Sequence, residues 1–154
     1  MKKIILAVFI ALSSFGVQAQ STNEIEMMQA LFGAEKMLIV AEFVKPDSAN
    51  AQAFETLYNE YEVERKELGK ISITLLNEYA EKWNGMTDEQ ADEWMKKVLD
   101  VSAKRDKLIR TYYKKIKKAT TAIIATQFYQ VETYILTSIR SALYESIPFV
   151  GEKK

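Results

Sequence analysis

The sequence predicts an all-α protein of three or four long, antiparallel amphipathic helices, arranged as a bundle or as a cradle. Apolar residues recur three or four positions apart along almost the whole chain, which is the spacing of a helix with one buried face. Glycine occurs five times and proline twice, so few positions interrupt a helix. The alternation of apolar and polar residues that is typical of a half-buried strand is nearly absent.

The first 19 residues have the pattern of a secretory signal peptide. A basic start, MKK, precedes the apolar run IILAVFIAL, which is far shorter than the roughly 20 residues that a membrane-spanning helix needs. The small residues Val17 and Ala19 suit a signal peptidase, so we expect cleavage after Ala19 and a single helical domain over residues 20–154. No later apolar run is long enough to span a membrane. The expected location is therefore the periplasm of a bacterial envelope.

Two helices are expected in the first half of the mature chain. The first covers residues 23–44 and ends before Pro46, because a proline disfavours helical backbone in the residue that precedes it. Asp47 or Ser48 is expected to cap a second helix that reaches Trp83. The apolar faces predicted for these two helices consist of Met27, Leu31, Leu38 and Phe43, and of Phe54, Leu57, Tyr61, Leu68, Ile71 and Leu75.

The segment KWNGMTDEQADEW predicts a helix end, a tight turn and a capped helix start. Gly85 suits the left-handed residue that follows a helix, and Thr87 with Gln90 forms the T-x-x-Q pattern of a capping box. A third helix is expected over residues 87–118 and a fourth over 121–146, and the sequence leaves open whether residues 118–122 break one long helix. Their predicted apolar faces are Trp94, Val98, Val101, Leu108, Tyr112 and Ile116, and Ile124, Phe128, Val131, Ile135, Ile139 and Leu143.

Composition argues against catalysis. The chain has no histidine and no cysteine, which removes the usual partners of a nucleophilic serine or cysteine and the commonest ligands of transition metals. Carboxylate-bridged metal bundles normally use Glu-x-x-His, which this chain cannot supply. The expectation is therefore a protein that is not an enzyme, with no catalytic residues, no metal and no cofactor.

Charge is distributed unevenly along the chain. Residues 20–100 hold 17 acidic and 8 basic residues, whereas residues 101–154 hold 4 acidic and 11 basic residues. Either an acidic half packs beside a basic half, or the basic half offers a surface to an acidic partner. The segment KRDKLIRTYYKKIKK mixes cations with aromatic and apolar residues, and either it is a helix with solvated lysines or it binds other polypeptides. The candidate surface residues are Arg110, Tyr112, Tyr113, Lys114, Lys115, Ile116 and Lys117.

The segment MTDEQ, residues 86–90, resembles the L-T-x-x-Q motif of Spy/CpxP-type periplasmic proteins, with Met86 in place of leucine. That resemblance implies a small exported helical chaperone or stress-response regulator that forms a dimer. The segments FETLYNEY, EY, TDEQA, FYQVE and IP, in this order, are similar to a pattern of uncharacterised exported bacterial proteins. This second resemblance spans nearly the whole mature chain and implies a shared fold and compartment.

The function expected from these observations is binding of other polypeptides in the periplasm, as a holdase-like chaperone or an envelope-stress accessory. The alternative is a structural or regulatory module with one specific envelope partner and no chaperone activity. A homodimer is expected because the helices are long and two-faced. Nucleic acid is not an expected partner, because an exported protein rarely meets it.

Overall fold

The computed structural model describes residues 22–151, and these residues form four helices. They are α1 (Thr22–Phe43), α2 (Ala51–Lys82), α3 (Asp88–Ala119) and α4 (Ala122–Ser146). This part of the chain contains no strand, so the all-α prediction is confirmed. The expected signal peptide and its cleavage after Ala19 lie outside the described residues. Within residues 22–151, no helix combines the length and the apolar character that a membrane crossing requires.

The four helices close into a bundle in which each helix is antiparallel to the next. α2 and α3 make the most extensive contact, α4 packs on α3, and α1 closes the ring by packing on both α2 and α4. Long-range side-chain contacts follow this order, with Gln29 of α1 bonded to the Lys66 carbonyl of α2 and Arg140 of α4 bonded to Ser102 of α3. Of the two expected arrangements, the structure therefore has the bundle.

Aromatic rings fill the middle of the core. Tyr61 lies edge-to-face against Tyr112 and Phe128, with ring centroids 5.5 and 5.1 Å apart. Tyr58 meets Phe128 in the same way at 6.4 Å. Such pairs contribute about 0.5–1.5 kcal/mol beyond the burial of their area, so they help to fix the relative positions of α2, α3 and α4. The other buried members of this core are Val40, Val44, Phe54, Leu108, Ile109, Ile116, Ile124, Ala125, Val131 and Ile135.

A second aromatic pair holds the far end of the bundle together. The rings of Tyr79 in α2 and Trp94 in α3 are 4.7 Å apart, and the Trp94 indole N–H donates to the Leu75 carbonyl at 2.9 Å. The Tyr79 hydroxyl donates to the Pro148 carbonyl at 2.6 Å. The residues that follow α4 are thereby attached to the end of α2.

Side-chain caps define the starts of α3 and α4. Thr87 Oγ1 accepts a hydrogen bond from the Gln90 backbone N–H at 3.3 Å, and Gln90 Oε1 accepts one from the Thr87 N–H at 3.0 Å, which makes a capping box. Thr121 Oγ1 accepts from the Ile124 N–H at 3.2 Å and starts α4. The chain therefore does break between Ala119 and Ala122, which answers the question that the sequence left open.

The start of α2 differs from the prediction. Its N-cap is Asn50, and not Asp47 or Ser48. Asp47 Oδ1 accepts from the Asn50 backbone N–H at 3.0 Å and from its side-chain amide at 2.7 Å. Asp47 therefore stabilises a turn that precedes the helix, because a short acidic side chain readily bonds backbone N–H groups a few residues on.

The buried face of α1 also differs from the prediction. Leu38 is 74 % exposed and Phe43 is 40 % exposed, whereas Lys36, Val40 and Val44 are buried. The physical reason is electrostatic. The Lys36 ammonium forms ion pairs with carboxylates on both neighbouring helices, so the side of α1 that carries Lys36 faces the core. Apolar residues on the other side of α1 are thereby left facing solvent.

Smaller departures occur elsewhere in the predicted apolar faces. Ile71 of α2 is 45 % exposed, although the helical spacing places it next to buried neighbours. The side chains of Met27 and Leu31 lie outside the described residues. Gly69 lies where α1 approaches α2 closely, since a Cβ atom at this position would stand 2.7 Å from Nε2 of Gln29.

Candidate functional site

The predicted partner surface on α3 is divided by the structure into a buried and an accessible part. Tyr112 and Ile116 are 1 % and 0 % exposed, so their assignment to a partner surface is wrong. Both belong to the inward stripe of α3, which their spacing also predicts. The accessible part of the predicted surface consists of the other five residues, Arg110, Tyr113, Lys114, Lys115 and Lys117.

A row of cations runs along the outer side of α3, and we call it the basic face. It consists of Lys107, Arg110, Lys114, Lys117 and Lys118, each of which lies three or four residues from another member, and all five are exposed. None of the five forms an ion pair with any residue of the described chain. Its last two lysines lie in the final turn, where positive charge suits the helix dipole.

An aromatic pair borders the basic face. Tyr113 of α3 is half-buried and lies edge-to-face with Tyr129 of α4, with the ring centroids 6.1 Å apart. Tyr129 is 40 % exposed. The sequence did not identify Tyr129 as a member of this site, because only the packing of α4 against α3 brings the two rings together. The sequence offered one indication of it. Phe128 and Tyr129 are adjacent aromatic residues, and two adjacent helical residues cannot both point into one core.

Other cations of α3 are compensated by α2. Lys115 Nζ lies 3.7 Å from Glu60, and Lys97 Nζ lies 3.5 Å from Glu78. Lys115 also lies over the Tyr112 ring, 4.2 Å from its centroid. Opposite charges of α2 and α3 therefore pair along the contact between these helices, and Lys115–Glu60 joins the basic half of the chain to the acidic half. The basic face points away from this contact.

A buried ion cluster lies inside the bundle, and no sequence pattern indicates it. Lys36 of α1 is 2 % exposed and pairs with Glu62 of α2 and with Glu132 of α4, the latter at 2.6 Å. Its ammonium also donates to the Tyr58 hydroxyl at 3.2 Å, and the Tyr61 hydroxyl donates to Glu132 Oε2 at 2.6 Å. Because Lys36, Glu62 and Glu132 look like ordinary surface residues in the sequence, only tertiary contacts reveal the cluster.

Arg65 completes the buried ion cluster. Its Nε and Nη2 donate to the two carboxylate oxygens of Glu62 at 2.8 and 2.9 Å, which is the bidentate geometry of a strong charge-assisted pair. Lys36 and Arg65 thus balance the two carboxylates, and the cluster is neutral. A buried charge without such a partner would cost several kcal/mol.

The ion cluster perturbs the acidity of its members. Burial by itself would raise the pKa of Glu62, but the attraction of Lys36 and the hydrogen bonds from Arg65 outweigh it and hold that pKa below its ordinary value. Burial and the negative charge of Glu132 raise the pKa of the Tyr58 and Tyr61 hydroxyls far above the usual range. The cluster therefore keeps Glu62 charged and these two tyrosines neutral at any physiological pH.

The geometry of the ion cluster suits structural support and not exchange with a substrate. Lys36 and Glu132 are almost completely sealed from solvent, at 2 % and 3 % exposure. Among the described residues, no group of three or more side chains of the metal-binding types is placed to hold a metal ion. A second molecule can instead reach the basic face and its tyrosine border, which are exposed to solvent.

These features define residues 22–151 as an all-α four-helix bundle with a sealed ion cluster inside and, on its outer side, a basic face that forms no ion pair within this part of the chain. Comparison with protein-family models, with curated proteins and with solved structures finds no match to the chain.

Proposed function

We propose that this chain is an exported protein of the bacterial envelope that binds other polypeptides in the periplasm, without catalysis. The observation that carries the proposal is the basic face, five exposed cations on one side of one helix, none of which forms an ion pair among the described residues. The resemblance of residues 86–90 to Spy/CpxP-type proteins agrees with it. Acidic segments of a partner would supply the missing charge and increase the rate of association.

The tyrosine border would add contact area of a different kind. Tyr113 and Tyr129 combine apolar rings with polar hydroxyl groups, and tyrosine is enriched in protein interfaces for this reason. Lysine stems also cover apolar surface while their ammonium groups stay in water. The preferred partner segment is therefore acidic and carries aromatic or aliphatic side chains.

Two modes of polypeptide binding fit this surface. A holdase would accept many unfolded chains, whereas a regulatory or structural module would accept one envelope protein. From Lys107 to Lys118 the basic face is about 17 Å long at 1.5 Å per residue, and it lies on a rigid helix. A narrow, rigid surface favours the specific partner, whereas the adaptable surfaces of promiscuous binders are flexible.

The test uses the mature chain, residues 20–154, and two labelled unfolded polypeptides of equal length, one acidic and one basic. Fluorescence anisotropy should show saturable binding of the acidic polypeptide that weakens as salt is added, and no binding of the basic one. Suppression of aggregation of many acidic clients would identify the holdase mode, and capture of one stoichiometric envelope protein would identify the specific mode. Equal affinity for both polypeptides, or none for either, would refute the proposal.

We further propose that the expected homodimer forms through the outer side of α1. The exposed residues Ala34, Met37, Leu38 and Ala41 follow the i, i+3, i+4, i+7 spacing of an apolar stripe, with Met37 52 % and Leu38 74 % exposed. Along this stripe a small side chain stands at each end and two large side chains stand in the middle, so the order of sizes is the same from either end. A second copy related by a two-fold axis would place Ala34 opposite Ala41 and Met37 opposite Leu38, which is the self-complementarity that such a dimer requires.

The dimer predicts a specific effect of one surface substitution. Leu38→Lys should convert the protein to a monomer in sedimentation equilibrium, because the two-fold axis brings the introduced charges close together. Leu99→Lys is the matched control, since Leu99 of α3 is also exposed, at 58 %, but lies on another helix. A monomeric parent protein, or a dimer that Leu38→Lys leaves intact, would contradict the proposed interface.

A further inference from the structure

Two arginines of the bundle stand at half-buried positions between the helices. Arg105 lies on the inward stripe of α3, with the buried residues Val101 and Leu108 one turn away on either side. Its Nη2 donates to Ser72 Oγ of α2 at 2.9 Å. Arg140 of α4 donates from Nη2 to Ser102 Oγ of α3, also at 2.9 Å.

Neither guanidinium forms an ion pair within residues 22–151. Among the described residues no carboxylate pairs with Arg105 or Arg140, whereas Arg65 is held by both oxygens of Glu62. Burial lowers the pKa of Arg105, and the nearby charge of Arg140 lowers it further, while Asp106 offsets only part of this effect. Two like charges therefore share one partly desolvated region of the bundle.

The hydrogen-bonding capacity of this region is mostly unused. A guanidinium has five N–H donors, and each of these two donates one hydrogen bond to a serine hydroxyl. The Ser72 hydroxyl already donates to the Leu68 carbonyl, but the Ser102 hydroxyl has no acceptor among the described residues. Donors in excess of acceptors, together with two unpaired positive charges, are the features of an anion site.

We propose that Arg105 and Arg140 bind one small tetrahedral oxyanion, of the class of inorganic phosphate or sulfate. A dianion would balance the two charges, and its oxygens would accept from both guanidinium groups and from the Ser102 hydroxyl. Planar guanidinium forks match such oxygens in pairs, which an ammonium cannot do. Because the residues come from α3 and α4 and bond α2 through Ser72, the anion would join three helices of the bundle.

This site is distinct from the basic face. Arg105 lies on the inward side of α3, whereas Lys107 and Arg110 point outward. Binding of the anion is therefore independent of polypeptide binding, and either proposal can fail without the other.

The experiment titrates the mature chain with inorganic phosphate, with sulfate and with chloride at equal ionic strength, by isothermal calorimetry and by thermal unfolding. Phosphate or sulfate should bind saturably, with one ion per chain, and should raise Tm with concentration as a ligand of the folded state does. Comparison of the two ions identifies the preferred one. Equal effects of all three salts would overturn the proposal.

Three variants locate the ion. Arg105→Gln and Arg140→Gln should each reduce the affinity at least about tenfold, the loss expected for a charge-assisted hydrogen bond. Arg110→Gln removes the same charge from the outer side of α3 and should leave the affinity unchanged. If Arg110→Gln weakens binding as much as the other two, the ion responds only to net charge and the site is refuted.

A measurement on the unmodified protein tests the same site without relying on variants that fail to fold. In NMR spectra of the side-chain Nε–H groups, phosphate should shift the Arg105 and Arg140 resonances and leave that of Arg110 in place. Shifts of Arg110 alone, or of no arginine, would overturn the assignment even if the variants cannot be purified.

Discussion

Replacement of Lys36 by methionine is expected to destabilise the folded bundle by about 3–5 kcal/mol. Methionine fills a similar volume but removes the charge that Glu132 and Glu62 share inside the protein. Glu62 keeps Arg65, whereas Glu132 is left with only the Tyr61 hydroxyl at a site that is 3 % exposed. Urea unfolding followed by circular dichroism measures the loss.

Two controls separate the ion cluster from other effects of the substitution. Lys107→Met changes the same residue type at an exposed position and should alter stability by no more than about 0.5 kcal/mol. The double variant Lys36→Met with Glu132→Gln restores neutrality and keeps an oxygen acceptor for Tyr61. It should therefore be more stable than Lys36→Met alone, and additive losses would contradict the ion cluster.

Lys36→Met should also change the way in which the free energy of unfolding depends on pH. Because the folded protein holds the pKa of Glu62 below its ordinary value of 4.5, this group contributes stability above that pH and loses it as the pH falls through the folded value. In Lys36→Met the principal attraction is gone, so this acid-dependent part of the free energy of unfolding should shrink. Identical acid profiles of the two proteins would show that the Lys36–Glu62 pair does not form.

Reversal of three charges on the basic face, Lys107→Glu with Arg110→Glu and Lys114→Glu, is expected to abolish binding of an acidic polypeptide. Exposed ion pairs contribute up to about 1 kcal/mol each at low salt. Loss of three such pairs corresponds to a weakening of about 100-fold, and the repulsion that replaces them adds to it. Fluorescence anisotropy with the labelled acidic polypeptide measures the affinity.

The matched control reverses three lysines of α3 that precede the basic face, Lys96, Lys97 and Lys104. Each already pairs with a carboxylate, at 2.5 Å for Lys96, 3.5 Å for Lys97 and 2.7 Å for Lys104. This variant has the same net charge as the basic-face variant and should bind the polypeptide almost as the parent protein does. Equal losses in both variants would mean that net charge governs binding and that no particular surface does.

The helices of the bundle could be predicted because their signals are local. Expected and observed boundaries agree within about two residues in three helices, where Pro46, Thr87 and Thr121 mark an end or a start. The start of α2 was predicted less well, since Asp47 caps a turn and not the helix itself. A side chain that can bond two different backbone groups does not reveal from the sequence which one it uses.

Which side of a helix faces inward could be predicted only where one side is clearly apolar. The inward stripe of α3 and α4 has this property, and Ile116 and Phe128 are fully buried as their spacing indicates. α1 is apolar on more than one side, and its orientation depends on the partners that Lys36 finds on α2 and α4. A contact between residues 96 positions apart, such as Lys36 and Glu132, leaves no local trace in the sequence.

The candidate partner surface was predicted only in part, because its segment of α3 also contributes residues to the core. The segment around Tyr112 and Tyr113 carries both an inward and an outward set of residues, and composition alone does not separate them. Helical spacing assigns Tyr112 to the core and leaves Lys114 outside, which the structure confirms. Tyr129 joins the outward set through packing between helices, so no pattern within residues 104–118 could have indicated it.

Site-specific photo-cross-linking tests the central proposal, binding of polypeptides through the basic face, most directly. A photoreactive residue is introduced at Arg110, or at Glu67 on the exposed outer side of α2 as a control, and each protein is irradiated with the acidic unfolded polypeptide. We expect a covalent adduct from position 110 that disappears at high salt, and none from position 67. An adduct from position 67 with none from position 110 would contradict the account.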